Sequence, residues 1–157
     1  MKSSPSQSEN SLKFINLLNQ SKIKMPQQFL TQIIPEILRH LPQKNLKWVQ
    51  DKELSLIFVE PKVSQKLNLN YRNKNNPTDV LSFSASNPLL GELVLCPQVI
   101  QKQAQENHWT FRLELTYMVT HGILHLLGYE HEQGGLEAQR MFKLQDKIFY
   151  KITNQKA

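Results

Sequence analysis

Short apolar runs that are rich in β-forming residues predict four strands along the chain. These runs cover residues 13–19, 53–59, 79–84 and 91–96. Each is too short for a typical helix and is bounded by polar or turn-forming residues, which favours a strand. A turn through Asn87 and Pro88 separates the last two runs, so we expect them to pair as a hairpin.

Apolar residues at helical spacing predict five helices. They cover residues 29–41, 61–68, 97–107, 110–127 and 136–151. Pro35 lies inside the first segment and has no amide proton, so it is expected to kink or restart that helix. Thr110 is predicted to cap the fourth helix at its start, and Gly128 to end it in a left-handed conformation.

Together these elements predict an α+β fold in which a small, mixed four-stranded sheet packs with about five helices. A chain of 157 residues is long enough for one domain with a sizeable core. We therefore expect a single domain over residues 11–157. The Ser-rich residues 1–10 are predicted to form a disordered tail.

Composition argues against several classes of protein. No apolar run approaches the roughly 18–20 residues of a membrane span, and the N-terminus has no apolar block typical of a signal peptide. The single cysteine, Cys96, cannot form an intramolecular disulfide, which is typical of a reducing compartment. We therefore expect a soluble, cytoplasmic protein with no membrane partner.

The formal net charge is +6, and one stretch of the chain contains basic residues but no acidic ones. Residues 61–78 contain Lys62, Lys66, Arg72 and Lys74 but no Asp or Glu. Such a stretch can neutralise the phosphates of a nucleic acid. A solvated surface that keeps the protein soluble would carry the same charges, so charge alone leaves both interpretations open.

Three of the five histidines lie in one short segment, HGILHLLGYEH, at residues 121–131. His121 and His125 are four residues apart, so a helix places them on one face. Gly128 allows the chain to leave the helix and turn back, which gives His131 a route to the same point. The segment therefore predicts a three-histidine metal site on a helix and the turn that follows it.

Three protein ligands leave a fourth position for water or substrate, which is the pattern of catalytic rather than structural zinc. Zn²⁺ is the expected ion, with one ion per chain, but imidazole also suits other divalent transition metals. Cys96 would close the site as a fourth ligand, although it lies on a different predicted element. A set of hydrogen-bonded core histidines is the remaining alternative.

The spacing HxxxHxxGxxH also matches the metzincin type of metalloprotease, with one difference. Those enzymes have a glutamate directly after the first histidine as general base, and this chain has Gly122 there. Glu130 or Glu132 would have to replace that base from the loop after the helix. Glu130 has two further interpretations, either an acceptor that orients an imidazole or a surface carboxylate.

Two tracts together resemble the YbeY family of bacterial endoribonucleases, which are zinc-dependent factors of ribosomal RNA maturation. They are NYRNKNNPTDVLSF at residues 70–83 and HGILHLLGYEH at residues 121–131, with an LGELVL strand between them. The resemblance runs from the strand at residue 53 to the last helix. It implies that His121, His125 and His131 are the metal ligands and that Arg72 is the functionally important arginine.

The resemblance further implies a single-strand-specific endoribonuclease that acts in 16S rRNA 3′ end maturation and ribosome quality control. Its expected partners are single-stranded RNA, 16S rRNA and the small ribosomal subunit, with ribosomal proteins as further contacts. The chain departs from the family pattern at Asn75, Glu92 and Glu130, where acidic residues, mostly aspartate, are usual. The alternatives are a zinc metallopeptidase and a non-catalytic, ribosome-associated RNA-binding factor with a structural metal.

Arg72 also has a chemical argument of its own. Its guanidinium is permanently charged and can bind a phosphate through two hydrogen bonds, so it is our candidate for clamping substrate and stabilising the transition state. An ion pair with Asp79, or a plain surface charge, is the alternative. Tyr71 and Tyr129 can stack on unpaired bases, although half-buried packing is the more common role of such residues.

Overall fold

The computed structural model of this chain describes residues 12–155. The disordered tail expected over residues 1–10 lies outside the described residues and stays a prediction. Within the described part, no helix is both long enough and apolar enough to cross a membrane.

The four predicted strands form one mixed sheet. The strands are β1 (Phe14–Asn19), β2 (Glu53–Phe58), β3 (Val80–Ser84) and β4 (Leu89–Leu95), in the spatial order β1-β2-β4-β3. β1 pairs with β2 and β2 with β4 in parallel, whereas β3 and β4 form the predicted antiparallel hairpin. β3 is therefore an edge strand, and its outer side borders the cleft described below.

Within residues 12–155, six helices pack on this sheet, so the predicted α+β class is confirmed with one helix more than expected. They are α1 (Gln27–Arg39), α2 (Gln43–Val49), α3 (Pro61–Arg72), α4 (Pro97–Glu106), α5 (Phe111–Leu126) and α6 (Gly135–Thr153). The unexpected helix is α2, which has seven residues. Its sequence is too short to show a helical period, so packing of Asn45 and Val49 against the rest of the fold stabilises it.

Pro35 does not interrupt α1, so the expected restart of that helix is wrong. The helix continues from Gln27 to Arg39 with Pro35 inside it. Pro35 lies on the exposed side, where water can bond the carbonyl that has lost its partner. The opposite side is buried and holds the helix in place through Leu30, Ile34 and Ile37.

α3 runs four residues beyond its predicted end, and this extension matters for the cleft. Its last turn carries Tyr71 and Arg72. It ends at Asn73, which has a left-handed conformation (φ 58°) and bonds its backbone N–H to the carbonyls of Asn68 and Leu69. Asparagine tolerates this left-handed conformation better than most residues. The residue type at this position therefore favours an end of the helix here.

α5 is the central helix of the core, and ten of its sixteen residues are buried. The hydroxyl of Thr110 accepts a hydrogen bond from the backbone N–H of Leu113 at 3.2 Å, which confirms the predicted cap. Gly122 lies where α5 packs tightly against the sheet. A Cβ atom at this position would lie 2.8 Å from Leu93 Cδ2 on β4, so only glycine allows this approach without a shift.

Candidate metal centre

The structure brings the three predicted histidines together. His121 and His125 lie on successive turns of α5, and His131 lies in the loop between α5 and α6. One ligand nitrogen from each ring lies within 4.8 Å of the other two. All three residues are half-buried, so the group faces a cleft and is not enclosed in the core.

Glycines in left-handed conformations shape the loop that carries His131. Gly128 has φ 93° directly after the end of α5, as predicted, and it turns the chain back along the helix. Gly134 and Gly135, with φ 65° and 71°, then reverse it again into α6. Residues with a side chain rarely adopt these angles, so the position of His131 depends on this glycine pattern.

The donor set fits a transition-metal ion. The Nε2 atoms of His121 and His125 are 3.1 Å apart, and two ligands of a tetrahedral zinc with bonds of about 2.0–2.1 Å are separated by about 3.4 Å. Among the described residues, no other His, Cys, Asp or Glu joins the group. Cys96 is buried at the start of α4, so the alternative in which it closes the site is wrong.

Gln145 on α6 determines which nitrogen of His121 faces the other two rings. The amide Nε2 of this fully buried side chain donates to the backbone carbonyl of Tyr117 at 3.3 Å. The amide oxygen therefore points at His121 Nδ1, 2.9 Å away, and accepts its proton. The proton on Nδ1 leaves a lone pair on Nε2, which is the state that a metal requires.

Sequence reasoning missed Gln145. The signal that was present is a polar side chain on the apolar face of α6, where Met141 and Ile148 are also buried. A buried amide needs partners for its donor and its acceptor, so such a residue is a candidate for a specific contact. The sequence does not say which residue that partner is.

Burial favours the neutral forms of His121 and His125 by lowering their pKa values. Desolvation, followed by the neighbouring His121 and His131, lowers the pKa of His125 from 6.5 to about 4. Desolvation also lowers the pKa of His121, although the hydrogen bond that its ring donates to Gln145 opposes this effect. Neutral imidazole is the form that binds metal, so both rings are ready to bind an ion at neutral pH.

The histidines lie in a cleft of about 1380 Å³. Its walls are formed by the end of α3 with the two residues that follow it (residues 69–74), by the edge strand β3 and by the histidine loop. Arg72 lies in this cleft, as does Tyr71 beside it. The structure thus places the candidate metal ligands and the candidate phosphate-binding arginine in the same open space.

Arg72 forms an ion pair with Glu132 across the cleft, and the alternative pairing with Asp79 is wrong. Both partners are partly exposed. The hydrogen bond and charge of Arg72 lower the pKa of Glu132. Asp79 instead accepts hydrogen bonds from the Val80 backbone N–H at 2.6 Å and from Gln103 Nε2 at 3.1 Å, so it braces the start of β3.

The positions suggested for a protease base do not support peptide hydrolysis. Gly122 faces Leu93 and the sheet, so a longer side chain there would meet the core and not the histidines. Glu130 Oε1 lies 3.9 Å from His125 Nδ1, which is beyond hydrogen-bonding distance, and its side chain is exposed. Glu132 is paired with Arg72.

Tyr71 and Tyr129 have different environments, although the sequence allowed the same two interpretations for both, stacking on bases or packing. The hydroxyl of Tyr129 donates to Asn45 Oδ1 at 3.0 Å, and its ring packs on the main core, so it is a packing residue. Tyr71 is 67% exposed and contacts Phe83 edge-to-face, with ring centroids 4.9 Å apart. Only position in the fold separates these two roles.

The sequence is similar to those of proteins in a known family. The model of the family described as endoribonuclease YbeY matches residues 16–153. A protein named endoribonuclease YbeY from Bdellovibrio bacteriovorus is 43% identical over 136 residues, which cover 85% of this chain and 91% of the relative. Another protein of that name, from Persephonella marina, is 37% identical and covers 81% of this chain and 84% of its own length.

A solved structure shows the same architecture. The solution structure of TM1509 from Thermotoga maritima superposes with a TM-score of 0.59 at 28% identity. The match covers 89% of each chain.

Proposed function

Because the chain belongs to the YbeY family of endoribonucleases, we propose that it is a zinc-dependent endoribonuclease that cleaves single-stranded RNA. The observation that carries this proposal is the convergence of three imidazole nitrogens, within 4.8 Å of one another, in the cleft that holds Arg72. His121, His125 and His131 are the proposed metal ligands, and Arg72 is the proposed catalytic residue.

Hydrolysis of a phosphodiester requires stabilisation of the negative charge that develops on the nonbridging oxygens. A zinc ion held by the three histidines supplies Lewis acidity toward a phosphoryl oxygen and makes water more acidic. Gln145 holds His121 in the tautomer that binds the ion. Arg72 supplies a fixed positive charge and two parallel N–H donors to the phosphate.

The incoming phosphate has to replace Glu132 as the partner of Arg72. The side chain of Glu132 is 55% exposed, so its carboxylate can move into water when the phosphate arrives. Exposed ion pairs contribute little stability, so this exchange of partners costs little. Until RNA binds, the ion pair keeps the guanidinium at the edge of the cleft.

We further propose 16S rRNA as the substrate, with action at its 3′ end during maturation and in ribosome quality control in the cytoplasm. The partners are then the small ribosomal subunit and its proteins. The two motif tracts in the order typical of the family support this assignment. The basic stretch from residue 61 to 78 supports contact with RNA, because it contains four basic residues and no acidic ones.

The test combines metal analysis with an RNA cleavage assay on the purified wild type and His125→Ala. We expect about one equivalent of zinc in the wild type and cleavage of single-stranded RNA that stops on chelation. His125→Ala should lose both the bound zinc and the cleavage of RNA. RNA affinity that falls steeply with salt, without any product, would instead show a non-catalytic RNA-binding factor. Hydrolysis of an unfolded protein by the zinc form would show a peptidase.

A further inference from the structure

Tyr71 presents a flat aromatic surface to the cleft. Its side chain is 67% exposed, although tyrosine is a large residue that is usually at least half-buried. Phe83 on β3 holds the ring edge-to-face, with centroids 4.9 Å apart and an interplanar angle of 72°. This geometry occupies at most one face of the Tyr71 ring, so the other face is open and its orientation is set in advance.

The surroundings of this ring match a nucleotide. Tyr71 and Arg72 are consecutive residues in the last turn of α3, so their Cα atoms are about 3.8 Å apart, and both line the cleft. Lys74 lies two residues further on and lines the same wall. A phosphate at Arg72 therefore places the attached nucleoside, or its neighbour, within reach of Tyr71.

We propose that Tyr71 is the stacking platform for one unpaired nucleobase of the RNA whose phosphate binds to Arg72. This inference rests on the proposed function and deepens it. The faces of a paired base are covered by its neighbours in a duplex, whereas an unpaired base can turn out and stack on an aromatic side chain. A preference for single-stranded RNA then has a physical cause in this ring.

The other aromatic residues of the cleft are committed to different contacts. Phe142 packs against His131 with centroids 5.3 Å apart, so it belongs to the wall of the metal centre. The hydroxyl of Tyr117 donates to Asp146 at 2.9 Å, and its ring contacts Trp109 and Phe149. Tyr71 contacts Phe83 but still leaves 67% of its side chain exposed, and the cationic residues Arg72 and Lys74 line the cleft beside it, which favours a nucleic acid over an apolar peptide.

The experiment measures the affinity of the zinc-loaded protein for a short, fluorescently labelled single-stranded RNA. Anisotropy is read within seconds of mixing, and gel analysis verifies that no product has formed. Tyr71→Ala should bind about tenfold more weakly, because one base loses its stacking partner. Tyr71→Phe and Tyr71→Trp should bind with native affinity or more tightly. Tyr150→Ala, which removes an exposed tyrosine of α6, is the control and should not change binding.

Tyr71→Leu separates stacking from general apolar contact. Leucine keeps the packing against Phe83 but has no flat π-surface, so this variant should fold normally and still lose about tenfold in affinity. A second series uses RNAs in which one base at a time is missing. The wild type should show a loss at one position, and Tyr71→Ala should be insensitive there.

Native affinity in both Tyr71→Ala and Tyr71→Leu would overturn the stacking platform while leaving the nuclease proposal intact. The same conclusion would follow if the wild type and Tyr71→Ala lost affinity equally at every missing base. A wild type that does not bind single-stranded RNA at all would overturn both proposals. Weaker binding of an unstructured peptide, but not of RNA, by Tyr71→Leu would show a peptide site instead.

Discussion

A single buried amide controls the orientation of one candidate metal ligand. Gln145 bonds His121 Nδ1 at 2.9 Å and is itself held by the backbone carbonyl of Tyr117. Gln145→Leu should therefore weaken zinc binding about 10- to 100-fold, the usual effect of removing a group that orients a metal ligand. The dissociation constant for zinc, measured by competition with a chromophoric chelator, checks this prediction.

Gln145→Glu is the matched control, because a carboxylate keeps the acceptor at His121 Nδ1. We expect it to retain native or tighter zinc affinity. Thermal unfolding of the metal-free variants separates this role from general packing. If Gln145→Leu lowered the unfolding temperature and left the zinc dissociation constant unchanged, Gln145 would be a core residue only.

In the proposed reaction, Arg72 orients the phosphate and stabilises its negative charge, and it does not bind the metal. Arg72→Ala should keep about one equivalent of zinc but lower kcat roughly 100- to 1000-fold, as for the loss of one donor that stabilises a developing oxyanion. Arg72→Lys should recover only part of this loss, since lysine cannot form two parallel hydrogen bonds. Steady-state cleavage of a short single-stranded RNA measures both effects.

The control for Arg72 is Arg112, an exposed arginine whose guanidinium lies over the ring of Phe29. Arg112→Ala should cleave RNA at the native rate. A native kcat in the Arg72→Ala protein would show that Arg72 is not a catalytic residue. A loss of zinc in the same protein would show that it supports the metal centre instead.

At the scale of elements, the close approach of α5 to the sheet sets the position of two histidines. This approach depends on Gly122, because an added Cβ would lie 2.8 Å from Leu93 Cδ2 and 3.3 Å from Val80 Cγ2. Gly122→Ala should therefore lower the free energy of unfolding by roughly 1–3 kcal/mol through overpacking, reduced by about 1 kcal/mol of helix propensity. Urea unfolding monitored by circular dichroism measures the net change.

A second substitution tests whether the contact with Leu93 causes this overpacking. Leu93→Ala removes the two methyl groups that the new Cβ would meet. In that background, Gly122→Ala should be close to neutral or stabilising, because the contact at 3.3 Å from Val80 Cγ2 is the milder one and the gain in helix propensity offsets it. Equal destabilisation in both backgrounds would show that the contact with Leu93 is not the reason for glycine at this position.

At the scale of the whole molecule, the buried His125 links stability to pH. Burial lowers the pKa of His125 to about 4, whereas an unfolded chain has the ordinary value near 6.5. Between these values the unfolded chain binds more protons than the folded one, so stability falls as pH decreases from about 6.5 toward 4. The metal-free protein should lose about 1–2 kcal/mol of unfolding free energy between pH 7 and pH 5.

Urea unfolding of the metal-free protein at the two pH values measures this loss. His125→Gln keeps a polar side chain at the position but does not titrate, so its stability should depend less on pH. A wild type and a variant with the same pH dependence would show that other groups are responsible.

Local signals in the chain determined much of the fold. The hydroxyl of Thr110 caps α5 and the φ of Gly128 is positive, as their residue types predicted, because both depend on a few neighbouring residues. The spacing of His121 and His125 likewise depends only on the helical repeat. Helix α2 and the continuity of α1 through Pro35 were missed, since tertiary packing stabilises them against weak local preferences.

The sequence by itself determined the four strands and the three-histidine group, and it predicted Arg72 as the residue that binds the phosphate. Only the tertiary structure decided that Arg72 pairs with Glu132 and not Asp79, that Gln145 orients His121, and that Tyr71 is open while Tyr129 is packed. These contacts join residues 24 to 84 positions apart. No repeat or local spacing encodes such distances, because they arise when helices and loops from different parts of the chain pack on one sheet.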